Sequence, residues 1–365
     1  MPVYTHVVLV SPPSAPVTRV RSQDDNMFGR STILNLSALF TGLFFAGATL
    51  SWHVADSYTT SSLRGLSVRA NEIWASGTGG TYLHSADGGA TWIVAHVNGA
   101  EKLDFRAVAA IDKQIFLVSS GPGDQSRIYG SPDKGKTWRL QFTNTEPKGF
   151  FDAVQFWNSQ NGIVLGDPLD GHWDILTTTD AGAHWIRRQG PAAPPNEGAF
   201  AASGTCLIVR GKTDAWFVTG DKGGGRILHS TDSGQTWKSA AAPVQHDGPA
   251  AGILSIAFRD GLNGMVVGGD FSKPASGNGN VAITSDGGRT WRKAVGIGPH
   301  GYRSAVAYWP AQKAWLAVGI SGSDISRDGG DNWQLFDDRN LNSVGVGDSL
   351  VAVGPKGVVL TMAGR

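Results

Sequence analysis

The sequence predicts an all-β fold: a seven-bladed β-propeller of four-stranded antiparallel blades, closed into a ring by the N-terminal strand near Trp52 joining the last blade. Three observations carry this prediction. One motif, Ser/Thr-x-Asp-x-Gly-x-x-Trp, recurs six times. A short apolar strand ending in Gly recurs seven times, each time before a motif copy or in the place of one. The composition is rich in Gly and Trp and poor in charge, as expected of many short strands joined by tight turns.

The motif copies are SADGGATW (85–92), SPDKGKTW (131–138), TTDAGAHW (178–185), STDSGQTW (230–237), TSDGGRTW (284–291) and SRDGGDNW (326–333). Their acids are Asp87, Asp133, Asp180, Asp232, Asp286 and Asp328, spaced by 46, 47, 52, 54 and 42 residues. Periods of this length indicate a repeat architecture. In each copy the Asp can accept backbone N–H bonds of its own turn, and the Gly supplies positive φ. Trp92, Trp138, Trp185, Trp237, Trp291 and Trp333 open the next strand and can pack between adjacent sheets.

With the strands of a unit labelled A (innermost) to D (outermost), the motif spans the C–D hairpin. The Gly-ended strand is B: EIWASG (72–77), FLVSSG (116–121), GIVLG (162–166), AWFVTG (215–220), GMVVGG (264–269), AWLAVG (314–319) and LVAVG (350–354). Strand A precedes it: LRGLSV (63–68), FRAVAA (105–110), FDAVQF (151–156), AFAASGT (199–205), ILSIAF (253–258), YRSAVAY (302–308) and LNSVGV (341–346). The seventh unit has a C-type strand in GVVLTMAGR (357–365) and then the chain stops. Its missing D strand is at the other end: Trp52-His53-Val54-Ala55 matches Trp92-Ile93-Val94-Ala95. Four strands per unit with such closure describe a propeller, which leaves no open sheet edge to template aggregation.

The bulk numbers exclude several classes. Of 365 residues, 50 are Gly and 13 are Trp, and 17% are charged against a usual ~25%. A single Cys, Cys206, excludes an internal disulfide framework and a Cys-rich zinc site. With 31 basic and 30 acidic residues the net charge is +1, so nothing in it asks for nucleic acid. No Walker A, dinucleotide-binding or nucleophile-elbow motif occurs in a fitting context, and no cofactor is expected.

Residues 33–50 carry no charge and follow Arg30, with Arg19 and Arg21 upstream and Ala46-Gly47-Ala48 at their end. This reads as a secretory signal cut near Ala48, with 1–48 a leader and 49–365 the propeller. Met27 is an alternative start, and an uncleaved N-terminal membrane anchor is the alternative fate. The expected location is periplasmic or extracellular.

A functional site is expected on the face formed by the B–C and D–A loops. The D–A loops carry Glu146, Glu197, His246, Asp247, His300, Asp337 and Asp338; the B–C loops carry Asp124, Asp167, Asp170, Asp221, Lys222, Asp270 and Ser323. Alignment of the A strands puts Arg64, Arg106, Asp152, Arg303 and Asn342 in one column, on blades that are contiguous around the ring. Three Arg on one arc favour a carboxylate or phosphate. Alternatively they pair with Asp152, Asp167 or Asp270 and fill the funnel. A glycoside hydrolase needs two carboxyl groups ~5–10 Å apart; Asp167, Glu197 and Asp270 are the candidates. Asp167, Asp170, His172 and Asp174 alternate along a strand and need not converge on a metal, so no metal site is assigned.

The repeated motif resembles the Asp-box, or bacterial neuraminidase repeat, found in sialidases, sortilin-type domains, xyloglucan hydrolases and photosystem II stability/assembly factors. The resemblance implies a structural role for the six Asp residues, away from any catalytic site. Sialidases have six blades and an Arg-Ile-Pro motif, whereas Phe105-Arg106-Ala107-Val108 lacks the Pro and Tyr302 is an unsupported nucleophile. Across residues 60–360 the chain resembles the bacterial branch of the photosystem II stability/assembly factor-like family. The carriers are GDPLDG (166–171), EGAFAASGT (197–205), GILSIAF (252–258), VVGGDF (266–271), GYRSAVAY (301–308) and VGISGSD (318–324). That resemblance implies an exported, non-catalytic propeller that binds a protein or peptide as an assembly factor for a membrane complex; the Arg arc makes an anionic partner the expected one, and the propeller is expected to be a monomer.

Overall fold

The computed structural model describes residues 50–220, 225–244 and 248–363. Seven four-stranded antiparallel sheets follow one another, each with its strands in the order A-B-C-D. The A strands are Leu63–Arg69, Phe105–Ile111, Phe151–Phe156, Leu207–Arg210, Ala251–Phe258, Ala305–Trp309 and Ser343–Val346. Each packs on the A strand of the next blade, and the last packs on the first. The closing strand is the expected one. His53–Ala55 pairs antiparallel with Val359–Ala363, placing His53 opposite Thr361, Val54 opposite Leu360 and Ala55 opposite Val359. The leader expected at residues 1–48 lies outside the described residues.

Burial follows from stacking sheets face to face. B strands are covered on both faces by neighbouring blades, so they read as continuous apolar runs; Ala314–Gly319 is buried throughout. The outer D strands are wet, as in Ile93–His96. The motif Trp residues fill the seams between blades. Trp92 clusters with Val351 and Val353 of blade 7, and Trp333 with Met265 and Val267 of blade 5. Trp52 occupies the same position in blade 7, clustered with Trp309 and Leu316 of blade 6 and edge-on to Phe336 at 5.9 Å.

Each Asp turn is closed by the same bonds. In the first, Ser85 Oγ donates to Asp87 Oδ1 (2.8 Å) and accepts from Gly89 N (2.9 Å). Asp87 accepts Thr91 N on Oδ1 (2.9 Å) and Thr91 Oγ1 on Oδ2 (2.5 Å). These donors hold Asp87, Asp180, Asp232 and Asp286 down at about 2. The acids are thus saturated by their own turns, which lie beside the A–B turns: Gly88 N donates to Asn71 O at 3.0 Å.

One expected strand is corrected. Residues 199–205 are not strand A of blade 4; that strand is Leu207–Arg210. The segment 196–205 instead forms turns, because Asn196 and Gly204 take φ of 65° and 73°, which no strand continues. Its polar groups bond to blades across the channel. Ser203 Oγ donates to Ser304 O (2.9 Å), Ser343 Oγ donates to Ser203 O (3.4 Å), and Thr205 Oγ1 meets Ser255 Oγ (2.7 Å).

Candidate functional site

The B–C and D–A loops surround a cavity of about 470 Å³ at the channel mouth. Its polar lining is Arg64, Arg106, Asp167, Ser304 and Asn342; its apolar wall includes Phe150, Phe200, Leu254, Phe271 and Tyr302. The geometry that presents the Arg residues is a β-bulge repeated in four blades. The A–B register slips between Leu63 and Gly65, Phe105 and Ala107, Phe151 and Ala153, and Ile253 and Ser255. The extra residues are Arg64, Arg106, Asp152 and Leu254. A bulge leaves one residue unpaired and re-aims its side chain, which is how Arg64, Arg106 and Leu254 come to line one mouth while Asp152 stays buried.

The five aligned polar residues do not act alike. Arg64 bonds only Ala202 O (3.4 Å) and has no carboxylate within ion-pair distance among the described residues. Burial, and then the facing Arg106, lower its pKa against the pull of Asp104 and Tyr302: it is a desolvated cation with no ion pair of its own. Arg106 is anchored by Nε on Asp104 (2.7 Å) with its guanidinium 5.9 Å from the Phe150 ring centre. Asn342 Nδ2 donates to Leu63 O (2.7 Å) and lines the cavity beside them.

Arg303 is a correction. It is wholly buried, absent from the cavity lining and paired through Nε with Asp324 (2.7 Å), with Nη1 on Tyr302 O (2.7 Å) and Ser321 Oγ (3.0 Å). His300 Nδ1 reaches the same Asp324 (2.6 Å). Blade 6 begins its strand at Ala305, so Arg303 precedes it and turns into the blade rather than the funnel. Asp324, not Asp152, Asp167 or Asp270, is the partner.

Asp152 is also wholly buried, and neither carboxylate oxygen has a partner. Burial raises its pKa well above the carboxylate range; Asp167 adds to the rise and Arg106 opposes it. Burial without a partner favours the neutral form of Asp152. Asp167 lines the cavity and accepts Ala199 N on Oδ1 (2.9 Å). Burial lifts it to about 6 against that bond. The 199–202 segment is therefore held over the funnel by Asp167 on one side and Arg64 on the other.

The remaining acids are occupied. Glu197 is buried in an ion pair with Arg226 (Nε–Oε1 2.7 Å) and bonded by Thr219 Oγ1 (2.8 Å). Asp270 caps Ser272 through N (2.9 Å) and Oγ (2.5 Å) and pairs with Lys273 (3.4 Å). These two expected catalytic carboxylates are structural, and neither lines the cavity. Tyr302 lines it with its pKa raised by burial, the wrong direction for a nucleophile. Asp174 pairs with Arg187 (2.8 Å) and His172 faces Asp170 O (3.4 Å), so 167–174 does not converge. No group of three metal-ligating side chains occurs among the described residues. Asp124, Glu146 and Asp337 are in ion pairs with Arg127, Arg187 and Arg339. Asp221, Lys222, His246 and Asp247 lie outside the described residues.

Sequence reasoning missed the apolar half of the site. Leu254 stands in the same A-strand column as Arg64 and Arg106, so its place was readable; attention to charge alone passed over it. Phe150, Phe200, Phe271 and Ile320 reach the cavity from loops, where no repeat register points to them.

No protein-family model matches the chain, and no curated protein is similar to it. Solved structures are. A structure of YCF48 bound to D1 peptide has a TM-score of 0.61 at 17% identity, covering 86% of this chain and 96% of the other. YCF48 from Cyanidioschyzon merolae has a TM-score of 0.60 at 16% identity, covering 86% and 99%. The WD40 β-propeller domain of Doa1 has a TM-score of 0.56 at 12% identity, covering 87% and 98%. At these identities the likeness is one of fold: a seven-bladed β-propeller similar to YCF48.

Proposed function

We propose that the protein is an exported, non-catalytic propeller that binds a peptide by its carboxylate in the funnel between Arg64 and Arg106. The observation that carries this reading is Arg64: a half-buried guanidinium at a cavity, facing a second Arg, with no carboxylate in ion-pair distance among the described residues, the Asp104 that acts on it being paired with Arg106. A ligand carboxylate would relieve both the desolvation and the Arg–Arg repulsion. The aromatic wall opposite gives an apolar side chain a place to lie. That one similar structure is YCF48 bound to D1 peptide supports a peptide as the ligand class.

The finer parts of the reading rest on sequence. The six turns are Asp-boxes, and the chain belongs with the bacterial branch of photosystem II stability/assembly factor-like proteins. It acts as a monomeric assembly or stability factor for a membrane complex of the envelope, after loss of the leader near Ala48. A pull-down from envelope extract should recover a partner with wild-type protein and lose it with Arg64→Ala plus Arg106→Ala. Equal recovery by both would refute the site. N-terminal sequencing of secreted material should begin near Thr49; a start before residue 40 would refute export by cleavage.

One observation favours a second reading. Asp167, lifted to about 6 at a cavity wall, has the property of a general acid. Glu197 and Asp270 are held by Arg226 and Lys273, which leaves it without the second carboxylate from the expected set. Glycosidase turnover that Asp167→Asn abolishes would establish this reading and displace the first.

A further inference from the structure

Blades 1 and 4 share a side-chain arrangement at the face of the Asp turns. In blade 1, Trp74 stacks on His84 with centroids 4.1 Å apart, and His84 Nε2 lies 2.7 Å from Glu72 Oε1. In blade 4, Trp216 stacks on His229 at 4.2 Å, and His229 Nε2 lies 2.9 Å from Asp214 Oδ1. The register is the same: Trp74 pairs with His84 and Trp216 with His229. In the other blades the His position is Gly130, Thr177, Ile283, Ile325 or Thr361.

Besides the exchange of Glu72 for Asp214, the two arrangements differ in what covers the acid. In the first, Lys134 reaches over from the Asp turn of blade 2 and places Nζ 3.0 Å from Glu72 Oε1. The equivalent residue in the Asp turn of blade 5, again the one after the Asp, is Gly287. Both sit in the left-handed region, with φ of 57° and 78°. The next residues, Gly135 and Gly288, approach the two Trp rings alike: a Cβ there would meet Trp74 at 3.0 Å and Trp216 at 3.1 Å. With the Lys replaced by Gly, an open cleft of about 420 Å³ remains, lined by Asp214, Trp216, His229 and Gly287. No Lys or Arg lies within ion-pair distance of Asp214 among the described residues, and its side chain is 38% exposed. Arg210 and Arg289 flank the cleft. The same positions in the first copy are Arg69 and Lys136, beside which Lys134 still makes its ion pair.

We propose that the cleft between blades 4 and 5 is a primary-ammonium site that receives a lysine side chain from a partner protein. The chain's own Lys134 shows the pose: an ammonium on the acid that orients the stacked His. The site lies on the opposite face from the funnel, so it stands or falls independently of the carboxylate reading.

The test is an NMR titration of tryptophan-labelled protein with Nα-acetyl-lysine methylamide, following the Trp216 indole N–H. The Nε-acetylated compound is the neutral control. A saturable shift is expected with the lysine compound only. It should vanish in Asp214→Asn, and also in Gly287→Lys, where an internal ammonium fills the cleft and which serves if Asp214→Asn fails to fold. No shift with the lysine compound, an equal shift with the acetylated one, or an undiminished shift in a folded variant would overturn the proposal.

Discussion

Replacing Trp52 with Ala tests ring closure at the residue that carries most of it. Trp52 is 8% exposed and seated among Trp309, Leu316 and Leu360, although its strand has only three residues. Its indole N–H has no acceptor, so truncation removes packing and no hydrogen bond. A Trp burying ~200 Å² at ~25 cal/mol/Å² corresponds to about 5 kcal/mol. Measured truncations of buried Trp fall at about 3–5 kcal/mol because the site relaxes in part. At roughly 2–4 °C per kcal/mol for a large domain, the melting temperature should fall by about 6–20 °C. Thermal unfolding followed by circular dichroism reads this directly. A melt within about 1 °C of wild type would show that the N-terminal strand does not seal blade 7, and the account of the ring would fail.

Other outcomes follow from the same structure. Arg303→Ala should destabilise by about 3–5 kcal/mol, because it removes the buried guanidinium from Asp324 and leaves only His300 on that carboxylate; denaturant titration at unchanged stability would refute its structural role. Asp87, Asp180, Asp232 and Asp286 are held by their turns at about 2, below the unfolded value of ~3.9. Their contribution is therefore complete above pH ~4 and lost as the pH falls towards about 2, a loss that Asp87→Asn should reduce in an acid-unfolding curve. Asp167 has the opposite sign. Raised to about 6, it keeps its proton in the folded state after the unfolded chain has lost it, so stability should fall as the pH rises from ~4 to about 6. Asp167→Asn should flatten that slope, and a ligand carboxylate should bind more tightly below about pH 6, where Asp167 is neutral.

The seven-fold architecture was legible because each Asp turn demands the same residues for the same bonds: a hydroxyl, an acid, a Gly at positive φ and a Trp for the seam. Closure was legible because a strand without its hairpin partner, Trp52–Ala55, matched a gap in the last unit. The site was legible only as a column. Arg64, Arg106 and Asp152 fell into it because each is the bulge residue of its strand, a feature set by pairing geometry that no residue type announces. Arg303 fell into the same column by alignment, but its strand starts two residues later and Asp324 takes its charge. Glu197 and Asp270 illustrate the same limit, since whether a loop acid is free depends on an Arg or Lys brought to it by folding. The segment 199–205 has the apolar character of a strand, yet Asn196 and Gly204 turn it across the channel, where Ser203 and Thr205 find partners on three other blades.

The carboxylate reading of the funnel is tested most directly by calorimetry with two tetrapeptide libraries, one with free C-termini and one amidated. The free acids should bind wild-type protein, and the amides should bind at least about tenfold more weakly, the equivalent of one charge-assisted contact of about 1.4 kcal/mol. Arg64→Ala should erase the difference between the two. Equal binding of acids and amides, or a preference for acids that survives Arg64→Ala, would contradict the account.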